Sequence, residues 1–324
     1  MDNDDKHVLV TGGAGFIGSH TVDLLLASGY SVRVLDNFSS GCVANLPQHE
    51  HLEIVQGDIR SRDDVSTVML GITHCLHLAA QVSVSRSVED PYDSATHNIL
   101  GALNVMQAAA QAKVTKLVYA SSAAVYGTPT QLPLGEETPL QPLSPYGLEK
   151  WVDERYADLL ASLHHLPSLG LRYFNVYGPR QDPHSPYAGV VARFIDRMLT
   201  DQAPVVFGDG SQSRDFIYVG DVARANLTAL FSAQCGICNV ATGQRIDLLE
   251  LIDLLTQLTG CPLPTKHLPA KAEDIHHSYG DPQRLADWLS LTPQWTLREG
   301  LSELIHDYRQ TMLRHTPPPL IMNA

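Results

Sequence analysis

The stretch TGGAGFIGSH, residues 11–20, restricts the fold more than any other part of the chain. It follows the apolar run HVLVT at 7–11 and leads into the amphipathic segment SHTVDLLLASG. Glycines in such a turn let the backbone reverse tightly and approach a pyrophosphate, which the positive end of the following helix favours. Two spacings are satisfied at once: Gly13, Gly15 and Gly18 form GxGxxG, while Gly12, Gly15 and Gly18 form GxxGxxG. Asp36 closes the next apolar run, 18 residues after Gly18. A carboxylate there accepts hydrogen bonds from a ribose 2′-hydroxyl and repels a 2′-phosphate. Strand, loop, helix and acid in register predict a dinucleotide site that prefers NAD to NADP.

Strand-like runs recur at YSVRVLD, LEIVQGD, THCLHLAA, KLVYASS and SLGLRYFN, with helical or mixed segments between most of them. This alternation predicts an α/β fold with a doubly wound parallel sheet of the Rossmann type over residues 1–175. From about residue 176 the rhythm changes, and Gly, Pro and Asp become frequent up to 220. The helical segments AGVVARFIDRMLTDQ and DLLELIDLLTQLTG follow. A smaller α/β substrate domain is expected over 176–324, with short pieces such as CNVATG returning to the first sheet. The tail HTPPPLIMNA reads as frayed.

A chain of 324 residues has enough interior for a core in each part. Its formal charge of −13, without a basic cluster, argues against a nucleic-acid partner. Cys235 and Cys238 are spaced like half a zinc site, but no second pair follows, so they read as small core residues and no metal is expected. The acidic start MDNDDKHVLV is unlike a signal peptide. No apolar run reaches the roughly 18 residues of a membrane span. A soluble, cytoplasmic protein is expected.

SPYGLEK, residues 144–150, places Tyr146 and Lys150 at i and i+4 on one helix face, with Ser144 as the cap and Pro145 at the first position. An ordinary helix continuing through Val152, Tyr156 and Leu160, with Lys150 snorkelling, would also suit this pattern. Upstream, YASSAAVYG ends a strand of the nucleotide-binding sheet, so Ser121 and Ser122 emerge at the edge where such sheets hold ligands. A serine, a tyrosine and a lysine beside a nicotinamide form a proton-transfer set. Bringing a tyrosine from its usual value near 10 to about 7 takes roughly 4 kcal/mol. A cation at about 4 Å can offer up to that much at an effective dielectric constant near 20. Tyr146 can therefore serve as a general base near neutral pH.

With these features assembled, the chain resembles the extended short-chain dehydrogenase/reductase superfamily. It is most similar to the UDP-hexose 4-epimerases, and among them to the UDP-N-acetylglucosamine 4-epimerases. The likeness also runs through LDNFSSG, GDIR, HLAAQVSVSRSVEDP, LRYFNVYGPRQDP and GDGSQSRDFIYVGDV. It implies that NAD contacts Gly12, Gly15, Phe16, Ile17, Asp36, Asn37, Ser39 and Gly41. It also implies contacts from Asp58, Ile59, Leu78, Ala79, Ala80, Gln81, Asn98, Tyr146, Lys150 and Tyr173. By the family pattern the catalytic hydroxyl is Ser122, and the adjacent Ser121 stays a candidate. The implied reaction has Tyr146 take the proton of the sugar 4-hydroxyl while hydride passes from C4 to NAD. The 4-keto sugar then rotates and recovers the hydride on its other face.

The related dehydratases carry an acidic pair after the catalytic hydroxyl, where this chain has Ala123 and Ala124, so dehydration is not expected. The segment EDIHHSYGD resembles the part of these enzymes beside the hexose C2 substituent. A tyrosine there restricts the pocket to a hydroxyl, and a small residue such as Ser278 admits an N-acetyl group. The resemblance further assigns Arg214 and, in place of a frequent arginine, His276 to the diphosphate, with Asn175 and Ser83 at the sugar. UDP-GlcNAc and UDP-GalNAc are the expected substrates, UDP-glucose a poorer one. A UDP-glucose or UDP-uronate 4-epimerase and a non-catalytic NAD-binding regulator are the alternatives. A homodimer through helices near 95–112 and 147–164 is implied as well.

Overall fold

Leucine- and valine-rich runs set between glycine turns become strands, the inner ones buried on both faces as a covered parallel sheet requires. The computed structural model describes residues 6–183, 189–270 and 275–315; the tail expected to fray, apart from His315, lies outside the described residues. Strands β1 (His7–Thr11), β2 (Ser31–Asp36) and β3 (Leu52–Gln56) form one wing of the sheet, with helices α1 (Phe16–Ala27) and α2 (Arg62–Val68) in the connected segments. The other wing starts with β4 (His74–His77). Two short helices, α3 (Val84–Glu89) and α4 (Pro91–Ala95), and a π-helical turn at Thr96–Gly101 lead to α5 (Ala102–Ala112) and β5 (Lys116–Ser122). Helix α6 (Pro145–His164) then precedes β6 (Ser168–Tyr173).

Beyond residue 174 the chain divides its service. Strand β7 (Asn175–Tyr177), helix α7 (Val190–Leu199), and strands β8 (Val205–Phe207), β9 (Ser213–Arg214) and β10 (Phe216–Tyr218) come first. Helix α8 (Val219–Leu230) then returns to pack on α1, and β11 (Gly236–Val240) pairs in parallel with β6. The remaining elements are β12 (Ile246–Asp247), α9 (Leu248–Thr259), β13 (Lys266–Leu268), α10 (Gln283–Leu289) and α11 (Leu297–His315). A second core forms where α7, α9 and α11 meet through Phe194, Ile195, Leu251, Leu255, Leu301 and Leu304. Asp247 and Glu250 close a reciprocal capping box at the start of α9.

All strands of the large sheet run parallel, in the order β11-β6-β5-β4-β1-β2-β3. The order reverses between β1 and β4, and ligands of such sheets bind in the crevice at that reversal. Thr11, Asp36, His77, Ser122 and Tyr173 all end strands on that edge. No helix among the described residues is long and apolar enough to cross a membrane. No cluster of three or more metal-ligating side chains occurs among them.

A Cβ on Gly18 would collide with the Gly12 carbonyl oxygen, so the tight junction of loop and α1 depends on that glycine. Gly18→Ala is expected to lower the unfolding free energy by roughly 1–3 kcal/mol. Gly135→Ala, whose Cβ would enter open space, should change it by no more than about 0.5 kcal/mol. Urea denaturation of the two variants checks this.

Candidate active site

The glycine loop leaves room where side chains would normally stand. Gly12 adopts φ +71°, and a Cβ there would lie 2.7 Å from the Ala79 nitrogen, so the loops after β1 and β4 touch backbone to backbone. Gly15 caps α1 without a side-chain bond, and the first turn carries no acid that would occupy an anion site. Phe16 and Ile17 open that turn. The Asp36 carboxylate accepts from Ala14 N at 2.9 Å and Phe38 N at 2.9 Å, and Gly41 folds over it. Asn37 donates to Asp58 at 3.0 Å and accepts from Ser39 N at 3.0 Å. Hydrogen bonding from Arg60 holds the Asp58 carboxyl well below the usual range, so this rim stays anionic and fixed. Ile59 packs beside Gly101. The bare glycine cradle, the uncapped helix start and Asp36 together fit a dinucleotide.

The Leu78–Gln81 run forms the next wall. Leu78 N donates to Thr11 O at 3.0 Å, and Ala79 N to the Thr11 hydroxyl at 3.3 Å. Gln81 N donates to Asn98 Oδ1 and Asn98 Nδ2 to Gln81 O, both at 2.8 Å, while Nδ2 also reaches Glu149 at 2.7 Å. This alters the expected role of Asn98. Its side chain is 1% exposed and holds the loop from behind instead of opening toward a cofactor. Ser83 is buried too, where its Oγ caps α3 by accepting from Arg86 N at 3.0 Å. Tyr173 donates to Asn226 at 2.6 Å. Burial pushes its hydroxyl far above the normal range, so it offers a ring surface and no proton chemistry.

Helix α6 begins as its sequence dictates: Ser144 Oγ accepts from Gly147 N at 3.1 Å and Pro145 takes the first position. A Cβ on Gly147 would sit 2.7 Å from Ala124 O, so glycine lets the helix start pack on the turn Ala123–Tyr126 that follows Ser122. Tyr146 N donates to Ser87 Oγ at 3.1 Å. Lys150 does not snorkel; it is buried, with Nζ 3.2 Å from Asp153 Oδ2. Burial alone would loosen its proton, but Asp153, Tyr146 and Glu149 outweigh that and raise its value. Tyr156, through which the plain helix reading continued, is exposed.

The two serines part company. Successive strand residues face opposite ways, and Ser121, 2% exposed, donates to Glu154 at 2.6 Å beneath the sheet edge. Ser121 therefore belongs to the interior and drops out as a hydroxyl facing a ligand. Ser122 remains partly exposed, its Oγ accepting from Ala124 N at 3.2 Å.

Across the crevice, Asn175 Nδ2 donates to Asp215 O at 3.1 Å. Arg214, in β9, donates to Ser213 O at 2.9 Å and His276 O at 3.4 Å. Ser213 N reaches His276 O at 2.8 Å, and Ser278 N reaches Ser213 O at 3.1 Å. This short ladder brings Arg214, His276 and Ser278 together. Ser278 is buried and His276 exposed with its ring 4.1 Å from that of His277. The residue missing from the sequence reading is Asp215, which lies inside the motif SQSRDF. Its carboxylate accepts from Thr242 N at 2.9 Å, Thr242 Oγ1 at 2.6 Å, Gly243 N at 2.9 Å and Gly280 N at 3.2 Å, tying the substrate-side segments to one point.

The sequence profile of the NAD dependent epimerase/dehydratase family matches residues 8–241. A putative UDP-glucose 4-epimerase of Methanocaldococcus jannaschii is 42% identical over 301 residues, covering 92% of this chain and 97% of its own. The structure of a UDP-N-acetylglucosamine 4-epimerase from Methanobrevibacter ruminantium, in complex with UDP-N-acetylmuramic acid, superposes with TM-score 0.92 at 38% identity over 95% of this chain and 100% of that one. A UDP-glucose 4-epimerase of Thermus thermophilus in complex with NAD gives 0.86 at 39% identity, over 94% and 99%. The chain belongs to the NAD-dependent epimerase/dehydratase family, in its UDP-hexose 4-epimerase branch, and its cofactor is NAD.

Proposed function

We propose that this protein inverts C4 of UDP-GlcNAc and UDP-GalNAc, with weaker action on UDP-glucose and UDP-galactose. Ser278 carries the reading: a small side chain stands, buried, on the segment laddered to Arg214, where a bulky one would close the space for an acetamido group. The N-acetylglucosamine epimerase of 38% identity supports it. The names of the sequence relatives favour a second reading, a UDP-glucose 4-epimerase.

Bound NAD would supply the acceptor and donor for the C4 hydride. Gly12 and Gly15 with the start of α1 hold its pyrophosphate, and Asp36 its ribose; Asn37, Asp58 and the Leu78–Gln81 loop line its path. Tyr146 removes the 4-hydroxyl proton and gives it back after the sugar turns over, and Lys150 supplies the positive charge that favours its ionised form. Ser122 donates to the sugar oxygen. Arg214 and, when protonated, His276 hold the diphosphate, while Asn175 and the buried Ser83 region border the sugar. With Ala123 and Ala124 after Ser122, the site has no carboxylate there to drive loss of water. The chain works as a homodimer in this reading, with the exposed Leu100, Leu148, Leu159 and Leu163 as the apolar surface between copies.

Four measurements test the proposal. Proton NMR of the purified protein with UDP-GlcNAc or UDP-glucose, without added NAD, should show UDP-GalNAc forming much faster than UDP-galactose; the reverse order would favour the second reading. Tyr146→Phe should cut turnover by roughly 10²–10⁴-fold, whereas a regulator that only binds NAD would be indifferent. Ser122→Ala should cut turnover with little loss of stability, and Ser121→Ala should instead cost about 2 kcal/mol of stability by stripping a hydrogen bond from buried Glu154. In Ser278→Tyr, turnover of UDP-GlcNAc should fall roughly 10- to 100-fold through overpacking, with UDP-glucose little affected.

A further inference from the structure

Helix α6 turns a charged face into the protein. Glu149, Lys150, Asp153 and Glu154 are buried there, Glu154 pairing with Arg172 of β6, and none of the five is more than 3% exposed. Three carboxylates face two cations, so full ionisation would leave one uncompensated negative charge in an interior that holds such a charge at high cost. Two of the carboxylates are firmly engaged. Glu154 receives the Arg172 guanidinium on both oxygens at 2.8 Å, and Glu149 accepts from Ser94 at 2.8 Å and Asn98 at 2.7 Å. Asp153 instead lies against the Lys150 ammonium at 3.2 Å, and burial, partly offset by that lysine, pushes its carboxyl up to about 7.

The other titratable neighbours hold their state. His77, ending β4 and bonded to Thr11 at 2.7 Å, is lowered to about 3 by burial and by Lys150, so it stays neutral. Tyr119 of β5 and Tyr173 of β6 are raised by burial and stay neutral as well. Burial acts against the Arg172 charge, but its bonds to Glu154 and Tyr126 more than restore it. The charge free to change near neutral pH is the one on Asp153.

We propose that Asp153 is a positioning residue that sets how much of the Lys150 charge reaches the Tyr146 hydroxyl. Ionised, the carboxylate draws the ammonium along the helix toward itself and cancels part of its field; protonated, it leaves that field to act on Tyr146. It also helps a buried lysine keep its proton. Both effects have a sign. Without the carboxylate, Tyr146 ionises at lower pH because the opposing negative charge is gone. Lys150 gives up its proton at lower pH because its partner is gone. The inference rests on the proposed roles of Tyr146 and Lys150.

The test uses the NAD-bound enzyme as purified, comparing wild type with Asp153→Asn, Asp153→Ser and Asp153→Glu. The tyrosinate absorbance of Tyr146, obtained by subtracting the same titration of Tyr146→Phe in each background, is followed together with the pH profile of kcat/KM. In Asp153→Asn and Asp153→Ser, the Tyr146 titration and both limbs of the profile should move toward acid by about half a pH unit or more. Asp153→Glu, which keeps the charge, should leave them near their wild-type positions. Limbs and titration unmoved in the neutral variants, with only the plateau or the melting temperature lowered, would overturn the inference. A displaced titration in a protein that epimerises no UDP-hexose would sink the proposed function and leave the Asp153 inference standing.

Discussion

The buried pair of Glu154 and Arg172 is the contact on which the rest of the site depends. Arg172 donates to both carboxylate oxygens of Glu154 at 2.8 Å, and its remaining nitrogen reaches Tyr126 at 2.9 Å and the Glu136 carbonyl at 3.1 Å. Ser121 adds its hydroxyl to Glu154, and Tyr126 passes its own to Asn239 in β11 at 2.7 Å. One ion pair thus joins β5, α6, β6 and β11. Removing either partner of such a buried pair strands the other charge, at a cost of roughly 3–5 kcal/mol. Because Tyr146 and Lys150 stand on α6, their placement relative to Ser122 follows from this attachment.

The substrate side is hung in a different way. Asp215 satisfies its buried carboxylate with backbone and hydroxyl donors from residues 242, 243 and 280, and its carbonyl receives Asn175. Burial raises its value, and the donors at Thr242, Gly280 and Gly243 act against that. The carboxylate works as a clasp between segments distant in sequence. Two buried acids, one salt-bridged and one bound by amides, therefore hold the two walls of the crevice. The apolar cores beneath them supply most of the burial, and the polar clasps decide where the ends of the strands stand.

Much of the cofactor side was legible from local chemistry. A glycine loop between an apolar run and an amphipathic one has few other uses, and Gly12, Gly18 and Asp36 stand where their spacing placed them. Ser144 and Pro145 likewise started α6 as a cap and a first-turn proline do. Local chemistry left the choice between Ser121 and Ser122 open, since adjacent strand residues are equivalent until one face is covered; only the family resemblance pointed to Ser122. Asn98 carried the right residue type for a ligand contact, yet its partners at 81, 94 and 149 are set by packing. The burial of Glu149, Asp153 and Glu154 on the inward face of α6 was not legible at all, because the guanidinium that pairs with Glu154 comes from β6.

By itself, then, the sequence determined what short-range forces decide: the strand and helix order, the phosphate-binding turn, the acid at the end of β2, and the tyrosine and lysine one helical turn apart. The tertiary structure alone decided which hydroxyl meets the crevice, which amide stands behind the loop, and which carboxylates bind the segments together. Those outcomes depend on charges and donors brought from 18 to more than 60 residues away, as Glu154 with Arg172 and Asp215 with Gly280 show. Their energies exist only after burial has removed the water that would otherwise satisfy each group.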